Sequence, residues 1–330
     1  MTENNTPLLR VDNLTVHFDM KSGFFSSLVS KEKKVLKAVD GVSFDIEKGE
    51  ILSLVGESGS GKTTTGKAIL NLVSPTGGTI EYNGKTLGKT KEEINAFRQS
   101  AQMIFQDPYQ SLNPRHYIID IVAEPLDVNG LVDSTEEREA RVKMALEQAG
   151  LTPAEDYFYR YPYELSGGQR QRVVIAGALI LEPKFIVADE PVSMLDASIR
   201  TGILRLMMKM RDEKGIAYLF ITHDLSLAWL ISDRIAIIYL GKIMEIGGGD
   251  EIINEGIHPY TKALMAIMPR AGQRRTQARE VLEGETPNAA VDIQGCKFCS
   301  RCPIAKDICR QVEPQLVEVS KGHLVACHNR

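Results

Sequence analysis

The sequence predicts an α/β fold with a doubly wound parallel sheet and a ligand site at the carboxyl ends of the strands. Short apolar strands such as Ile51–Val55 and Phe185–Ala188 alternate with helical patterns along the chain. A glycine-rich loop follows the first of these strands, and two acids follow the second. Sheets of this kind are covered by helices on both faces and bind their ligands just beyond the strand ends.

The composition is that of an ordinary globular protein. The 330 residues are 43% hydrophobic and 25% charged, with a formal net charge of −4, so no overall basic field favours nucleic acid. The polar start Met1–Pro7 has no signal-peptide pattern, and no apolar run reaches the ~18 residues of a membrane helix. We therefore expect any membrane role to come through a partner.

Two strands and an insertion precede the glycine-rich loop. Leu8–Phe18 alternates between apolar and polar residues like a strand, and Val42–Ile46 reads as a second strand. Between them, Met20–Lys34 has the composition of an insertion with a small apolar knot. That knot fits a surface hairpin as well as a contact site.

The glycine-rich loop reads GESGSGKT and is called the phosphate loop, Gly56–Thr63. It lies between strand Ile51–Val55 and a predicted helix, Thr64–Leu72, as in the strand–GxxxxGK[ST]–helix unit. Its glycines allow successive N–H groups to curl around the β- and γ-phosphates. Lys62 supplies a positive charge to the same oxygens, and Thr63 supplies a hydroxyl to Mg²⁺.

Acids and a histidine stand at the ends of two later strands. Phe185–Ala188 is followed by Asp189 and Glu190, the pattern of a Walker B strand. Asp189 is expected to hold Mg²⁺ through its water shell, and Glu190 to orient the attacking water and accept its proton. His223 follows the apolar strand Ala217–Thr222 and is expected at the nucleotide by the same strand–loop–helix logic.

A second glycine-rich helix start is called the signature segment, Leu165–Arg172, and reads LSGGQRQR. Ser166 is a predicted helix cap, and the two glycines after it allow close approach of a ligand. The unpaired N–H groups and the dipole of such a helix start suit an anion. A mostly helical insert, from Ser111 to about Tyr163, separates this segment from Gln106 at the end of another short strand.

In this order, GESGSGKT, Gln106, LSGGQRQR, FIVADE, SMLD and His223 resemble the nucleotide-binding subunit of ABC transporters, from Leu8 to about Gly249. The resemblance implies an α/β P-loop NTPase core (ABC ATPase) with an antiparallel β subdomain and a helical subdomain. It places the ATPase domain at residues 1–250, with the helical subdomain inserted at about 108–172. A small Cys-rich metal-binding domain is expected at 251–330.

The resemblance also implies the roles of individual residues. Glu190 is the expected catalytic base, His223 the switch on the γ-phosphate, and Gln106 the link between Mg²⁺ and the helical insert. Thr63 and Gln106 are the expected Mg²⁺ contacts. The residues expected around the chain's own ATP are Phe18 (stacked on adenine), Gly56, Glu57, Ser58, Gly59, Ser60, Gly61, Lys62, Thr63, Thr64, Gln106, Asp189 and His223. Those expected to meet ATP held by an opposing subunit are Ser166, Gly168 and Gln169 of the signature segment, with Asp196 matching the D-loop.

Three further stretches narrow the resemblance to the oligopeptide/dipeptide/nickel importer group, which also includes importers of short oligosaccharides. They are AVDGVSF (Ala38–Phe44), FQDPYQSLNPR (Phe105–Arg115) and IHPYTKAL (Ile257–Leu264). Two residues depart from the usual pattern, Met194 in the D-loop and Gly177 in the signature helix. Neither change removes a chemical group on which the expected site depends.

The expected function is ATP hydrolysis that powers import through partner proteins. The resemblance implies two transmembrane permease subunits, a second ABC ATPase subunit in a heterodimer, and an extracytoplasmic substrate-binding protein that acts indirectly. It implies a peripheral position on the cytoplasmic side of the cell membrane, and no nucleic acid. The rival hypotheses are a soluble ABC-type ATPase acting on nucleic acid or ribosomes, and a regulatory iron–sulfur sensor with a vestigial ATPase.

All five cysteines lie in the last 35 residues, which we call the cysteine tail, Cys296–Arg330. In a chain without an export signal, so tight a cluster indicates a metal site rather than disulfides. The spacing of the cysteines does not decide between an iron–sulfur cluster and zinc. The C-x2-C-x2-C run through Cys296, Cys299 and Cys302 fits an iron–sulfur cluster, whereas Cys299 and Cys302 also suit half of a zinc site completed by Cys309 with Cys327 or His328.

The importer resemblance implies a particular set of ligands. It assigns a [4Fe–4S] cluster to Cys296, Cys302, Cys309 and Cys327, and leaves Cys299 extra. Zn²⁺ is the alternative metal, and free thiols are the remaining possibility. A metal here is expected to be structural, because the tail is too short to build a core of its own.

Overall fold

A computed structural model describes residues 6–19, 35–88, 90–268, 287 and 293–330. The predicted insertion, Met20–Lys34, lies outside these residues. The strands are β1 (Leu9–Asp19), β2 (Val35–Ile46), β3 (Ile51–Val55), β4 (Gly77–Tyr82), β5 (Lys85–Thr86), β6 (Ala101–Ile104), β7 (Phe185–Asp189), β8 (Ala217–Thr222), β9 (Arg234–Tyr239), β10 (Lys242–Gly248), β11 (Val317–Ser320) and β12 (His323–Val325).

The helices alternate with these strands through the middle of the chain. In order they are α1 (Lys62–Ile69), α2 (Lys91–Ser100), α3 (Pro108–Ser111), α4 (Ile118–Asn129), α5 (Thr135–Gln148), α6 (Glu155–Phe158), α7 (Gly167–Leu179), α8 (Ala197–Lys214), α9 (Leu225–Ile231), α10 (Gly249–Glu255), α11 (Pro259–Ile267) and α12 (Asp307–Gln311). Two short 3₁₀ turns lie at Pro162–Glu164 and Cys299–Arg301. No helix in the described ranges is long and apolar enough to cross a membrane.

The chain divides into two compact units. The first unit contains Met1–Ile46, Ile51–Leu87 and Ile221–Arg330, and the second contains Glu47–Glu50 and Gly88–Phe220. The phosphate loop, His223 and the cysteine tail therefore belong to the first unit. Gln106, the Walker B acids and the signature segment belong to the second.

The first unit contains two sets of paired strands. One is an antiparallel sheet in the order β2-β1-β4-β5, in which the long strand β1 pairs with both β2 and β4. In the other, β3 runs parallel to β9, and β9, β10, β12 and β11 continue antiparallel. Helix α1 packs on β1 and β2. The predicted second strand is longer than expected, because it continues back to Val35 to pair with the end of β1.

The cysteine tail is part of a hydrophobic core cluster of the first unit. Strand β9 contributes Ile235, Ile237 and Tyr239, all fully buried. Around them pack side chains from α9, α10, α11 and the tail, among them Phe298 with 0% exposure. The tail therefore gains apolar contacts from β9 and helices α9–α11, which a segment of its length does not supply alone.

The second unit combines β6, β7 and most of β8 with most of the helices. Strands β6 and β7 pair in parallel, with Ala101 opposite Phe185 and Ile104 opposite Ala188. Helices α4, α5 and α7 pack against one another, and α3 packs on α7. Helix α5 is capped by Ser134 at its start, and Gly150 lies just beyond its end with φ +79°.

Candidate nucleotide site

The phosphate loop joins the buried strand β3 to helix α1. Gly61 is the N-cap of this helix and has φ +100°, a left-handed conformation that favours glycine. A Cβ on Gly61 would lie 2.2 Å from the carbonyl oxygen of Ala38, and one on Gly56 would lie 2.2 Å from that of Ile238. The backbone path of the loop therefore depends on the absence of a side chain at both positions.

Helix α1 begins without a side-chain cap and without an acid in its first turn. Its first N–H groups and the positive end of its dipole consequently face the loop, an arrangement that favours an anion. Lys62, only 6% exposed, donates from Nζ to the carbonyl oxygens of Gly56 and Glu57, at 2.8 Å each. A fixed positive charge thus lies inside the curve of the loop. Thr63 and Thr64 follow in the same first turn.

Two other predicted residues of the first unit lie on neighbouring elements. Phe18 is near the end of β1, opposite Leu36, and its ring is 41% exposed. His223 is exposed in the turn between β8 and α9, where Asp224 caps the helix by accepting from the N–H groups of Ser226 and Leu227. An exposed ring and an exposed imidazole are both accessible to a ligand.

The second unit brings Gln106 and Glu190 together. Gln106 Nε2 donates to Glu190 Oε2 at 3.1 Å, although the two residues are 84 positions apart. Asp189 ends the buried strand β7 with 3% exposure. Glu190 has φ +45°, uncommon for a residue with a side chain and more frequent at functional positions. Its carbonyl accepts from both the N–H and the hydroxyl of Ser193, which fixes the strained turn.

The signature segment is a helix start that caps itself. The Ser166 hydroxyl accepts from the N–H of Gln169 at 3.3 Å, and Gln169 Oε1 accepts from the N–H of Ser166 at 2.9 Å. This is a capping box, and the first turn of α7 contains no acid. Ser166 is exposed, whereas Gly168 is buried and a Cβ there would lie 2.7 Å from Ile199 Cγ2. Asp196, at the N-terminus of α8, is exposed.

The five cysteines of the tail are buried or half-buried. Cys296, Cys309 and Cys327 are buried, and Cys299 and Cys302 are half-buried. Burial raises the pKa of the Cys296 thiol to about 11 and also raises the pKa values of Cys302 and Cys327. These thiols are therefore protonated at neutral pH unless a metal binds them.

The donor chemistry of the tail fits a metal, but the ligands are not grouped. The N–H of Lys306 donates to Cys309 Sγ at 3.5 Å, and that of Asn329 to Cys327 Sγ at 3.3 Å. Backbone N–H groups on sulfur are the usual surroundings of metal-bound thiolates. Within the described ranges, however, no three His, Cys, Asp or Glu side chains form a group able to hold a metal ion. The predicted metal-binding domain is therefore not confirmed.

Sequence reasoning missed two residues that contact the phosphate loop. Tyr260 and Arg301 both hydrogen-bond to Glu57. Tyr260 lies in the IHPYTKAL stretch, and Arg301 lies between Cys299 and Cys302 of the tail. No periodicity or spacing in the sequence links either residue to a loop more than 200 positions away.

The fold and the loop define a protein of the phosphate-binding-loop ATPase class. The family model "ABC transporter" matches residues 39–193, and the model "Oligopeptide/dipeptide transporter, C-terminal region" matches residues 244–309. The chain is 43% identical over 329 residues to the oligopeptide transport ATP-binding protein AppF of Bacillus subtilis (strain 168), which covers 98% of both chains. The chain belongs to the family of ABC transporter ATP-binding proteins.

Solved structures agree with the core of the fold. The dimeric ATP-binding cassette MJ0796, in a post-hydrolysis state with ADP and Pi, is 30% identical with a TM-score of 0.63 and covers 73% of this chain and 98% of its own. The cbiO1 subunit of the cbiONQ transporter from Clostridium perfringens is 26% identical with a TM-score of 0.62, over 76% and 91% of the two chains. The chain is thus an ABC ATPase.

Proposed function

We propose that this chain is the ATP-hydrolysing subunit of an ABC importer that takes up oligopeptides or dipeptides through partner permeases. The observation that carries this proposal is the near full-length similarity to an oligopeptide transport ATP-binding protein, which extends through the C-terminal region as well as the cassette. The importer group named from the sequence also includes short-oligosaccharide importers, so these sugars are the alternative solute class. The similarity to an oligopeptide transport protein does not favour an ATPase that acts on nucleic acid or ribosomes.

The first unit binds the nucleotide of its own chain. The loop from Ser58 to Thr64 surrounds the phosphates with N–H groups, and Lys62 supplies the positive charge that already lies inside the loop. Phe18 offers an exposed ring for the adenine. His223 is positioned by the capped turn before α9 and contacts the γ-phosphate.

The second unit supplies the hydrolytic groups. Mg²⁺ would neutralise phosphate charge when bound, and Gln106 and Asp189 of this unit would help to hold it, as would Thr63 of the phosphate loop. Glu190 orients water and accepts its proton, and the hydrogen bond from Gln106 fixes the orientation of its carboxylate. Because Gln106 directly precedes the helical insert, movement of that insert changes the position of Gln106. The hydrogen bond from Gln106 then transmits this change to the carboxylate of Glu190.

The signature segment serves ATP held by a second ATPase subunit. The chain already has one anion site at the phosphate loop, so a second anion-binding helix start is redundant within one molecule. Ser166, Gly168 and Gln169 present an exposed, preformed helix N-terminus, and Asp196 begins another. A dimeric relative, MJ0796, supports this arrangement, and we propose a heterodimer with a different ATPase chain.

The remaining partners follow from the importer role. Two transmembrane permeases receive the motion of the helical subdomain at about 108–172, and an extracytoplasmic binding protein delivers the solute indirectly. The subunit then lies peripherally on the cytoplasmic side of the membrane. We assign the ATPase domain to residues 1–250 and the transporter-type C-terminal domain to 251–330.

For the cysteine tail we propose a structural [4Fe–4S] cluster held by Cys296, Cys302, Cys309 and Cys327, with Zn²⁺ as the alternative. Two observations support this proposal: all five cysteines lie within the last 35 residues of the sequence, and backbone N–H groups donate to the sulfurs of Cys309 and Cys327. Anaerobic purification with iron, sulfide and zinc analysis tests it. About four irons per chain are expected, and a metal-free protein with full stability would contradict the assignment.

The test of the proposed function is Glu190→Gln in the chain purified with its permeases. We expect ATP hydrolysis to fall by about 10²–10⁴-fold while ATP still binds, because only the proton acceptor is lost. Glu182→Gln is the matched control, since Glu182 is an exposed acid before β7 and also has a positive φ, +51°. Wild-type turnover of Glu190→Gln would remove Glu190 as the base. Copurification with nucleic acid or ribosomes instead of permeases would overturn the importer role.

A further inference from the structure

Glu57, the second residue of the phosphate loop, is held by the cysteine tail. Arg301 Nη1 donates to Glu57 Oε2 at 2.9 Å and to Oε1 at 3.2 Å, across 244 positions of sequence. The side chain of Arg301 is 8% exposed and that of Glu57 is 26% exposed. The tie is thus a partly buried ion pair, which is screened less by solvent and salt than a pair at the surface.

The backbone of Glu57 is held from the same side. Its N–H donates to Tyr260 Oη at 3.0 Å. Arg301 Nη1 also donates to Tyr239 Oη at 3.4 Å, and its guanidinium lies 5.9 Å from the centre of the Tyr239 ring. Side chain and main chain of this one loop residue are therefore both fixed by groups outside the loop.

An aromatic cluster supports these contacts. The ring of Phe298 lies 5.4 Å from that of Tyr239 and 5.3 Å from that of Tyr260, and the two tyrosine rings are 4.8 Å apart. His258 lies 5.7 Å from Phe298 on another side. Rings packed at these distances resist displacement. Because Arg301 is only three residues after Phe298, this packing restricts the movement of its backbone.

The ion pair between Arg301 and Glu57 has a functional consequence, because Glu57 lies in the phosphate loop. A carboxylate within a loop that receives a polyanion opposes binding by Coulomb repulsion. The guanidinium of Arg301 offsets that charge and keeps the carboxylate in one place. Removal of Arg301 alone would leave a half-buried acid without this compensation beside the phosphates.

We propose that Arg301 is a positioning residue for the phosphate loop, which holds and neutralises Glu57 so that the cysteine tail sets the affinity of the loop for ATP. This inference rests on the proposed ATP-binding role of the loop. It gives the C-terminal region a direct part in nucleotide binding.

The test is the dissociation constant of Mg·ATP, measured by calorimetry on the full chain. Arg301→Gln is expected to weaken Mg·ATP binding about tenfold, because the guanidinium no longer offsets the negative charge of Glu57. The double variant Glu57→Gln/Arg301→Gln is expected to return to within about threefold of wild type, because no charge remains to be offset. Arg310→Gln, an exposed arginine of the same tail, is the matched control.

Two outcomes would overturn the inference: unchanged affinity in Arg301→Gln, or a double variant as weak as the single one, which would mean a purely structural role. If Arg301→Gln does not fold, as judged by thermal unfolding, Arg301→Lys takes its place. That variant keeps the positive charge but loses the fixed donor geometry of the guanidinium, so it is expected to weaken binding about threefold, and unchanged binding would contradict a positioning role for Arg301. Wild-type protein that binds ATP no better than Lys62→Ala would instead contradict the proposed function itself.

Discussion

The phosphate loop and the signature segment are both glycine-rich entries into a helix, and both helices lack an acid in the first turn. They differ in what completes the helix start. In α7, Ser166 and Gln169 cap each other within four residues of chain. In α1, Gly61 provides no side-chain cap, and the loop before it is held by Lys62 from within and by Tyr260 and Arg301 from outside.

The difference fits the two tasks that we propose for these helix starts. A loop without a cap has its shape set by distant parts of the chain and gains its remaining partners from a ligand. A self-capped start needs no ligand to keep its shape, so it can be presented preformed to another molecule. The first arrangement suits ATP bound by the chain itself, and the second suits ATP brought by a partner.

A large effect within the signature segment is expected from Gly168→Ala. A Cβ at this buried position would lie 2.7 Å from Ile199 Cγ2, so α7 and α8 must shift apart. We expect the hydrolysis rate of the assembled transporter to fall by about tenfold or more, with ATP affinity of the isolated chain retained. Gly167→Ala is the control, because its nearest contact would be the Tyr109 hydroxyl at 3.6 Å. Equal loss in both variants would mean that any side chain in the segment is harmful, whatever its packing.

A smaller effect is expected from pH on the support of the phosphate loop. Burial lowers the pKa of His258 to about 4, from an ordinary value near 6.5, and its Nδ1 caps α11 by accepting from the N–H of Tyr260. The neutral ring contributes its full stability above pH 6.5, and this contribution is lost as the pH falls toward 4, because the unfolded state binds the proton first. Between pH 7.5 and pH 5, we expect about 2 kcal/mol of the free energy of unfolding to be lost.

The measurement is denaturant unfolding followed by the fluorescence of Trp229, the single tryptophan, which lies in α9 of the first unit. His258→Asn keeps a capping side chain but cannot titrate in this range. It should therefore lose less stability than wild type over the same pH interval. Parallel pH dependence of the two proteins would show that His258 is not the source of the acid sensitivity.

The sequence predicts those parts of the fold and site that local chemistry decides. Strands β3 and β7 are short apolar runs, and the phosphate loop and the Ser166 cap depend on residues within one turn. The roles of Gln106 and Glu190 are expected only through resemblance, and the hydrogen bond between them is not predicted by the sequence. The positive φ of Glu190 has no local signal, since glutamate rarely adopts it.

The contacts of Glu57 show where prediction from sequence stops. Tyr260 and Arg301 reach the loop only because β9, α11 and the tail share one core, and a tertiary arrangement of that kind leaves no pattern in the residues near the loop. The grouping of the cysteines is a similar case. Their spacing predicted a metal site, but spacing along the chain does not determine the distances between sulfurs.

The most direct test of the contrast between the two helix starts is a parallel measurement of ATP affinity and ATP hydrolysis in Ser166→Arg. The substitution introduces a bulky side chain at an exposed helix N-terminus that belongs to the second unit. We predict that ATP affinity of the isolated chain stays within about twofold of wild type, while hydrolysis by the assembled complex falls by about a hundredfold or more. Loss of affinity and hydrolysis to the same degree would show that the signature segment serves the chain's own nucleotide, and would contradict the account.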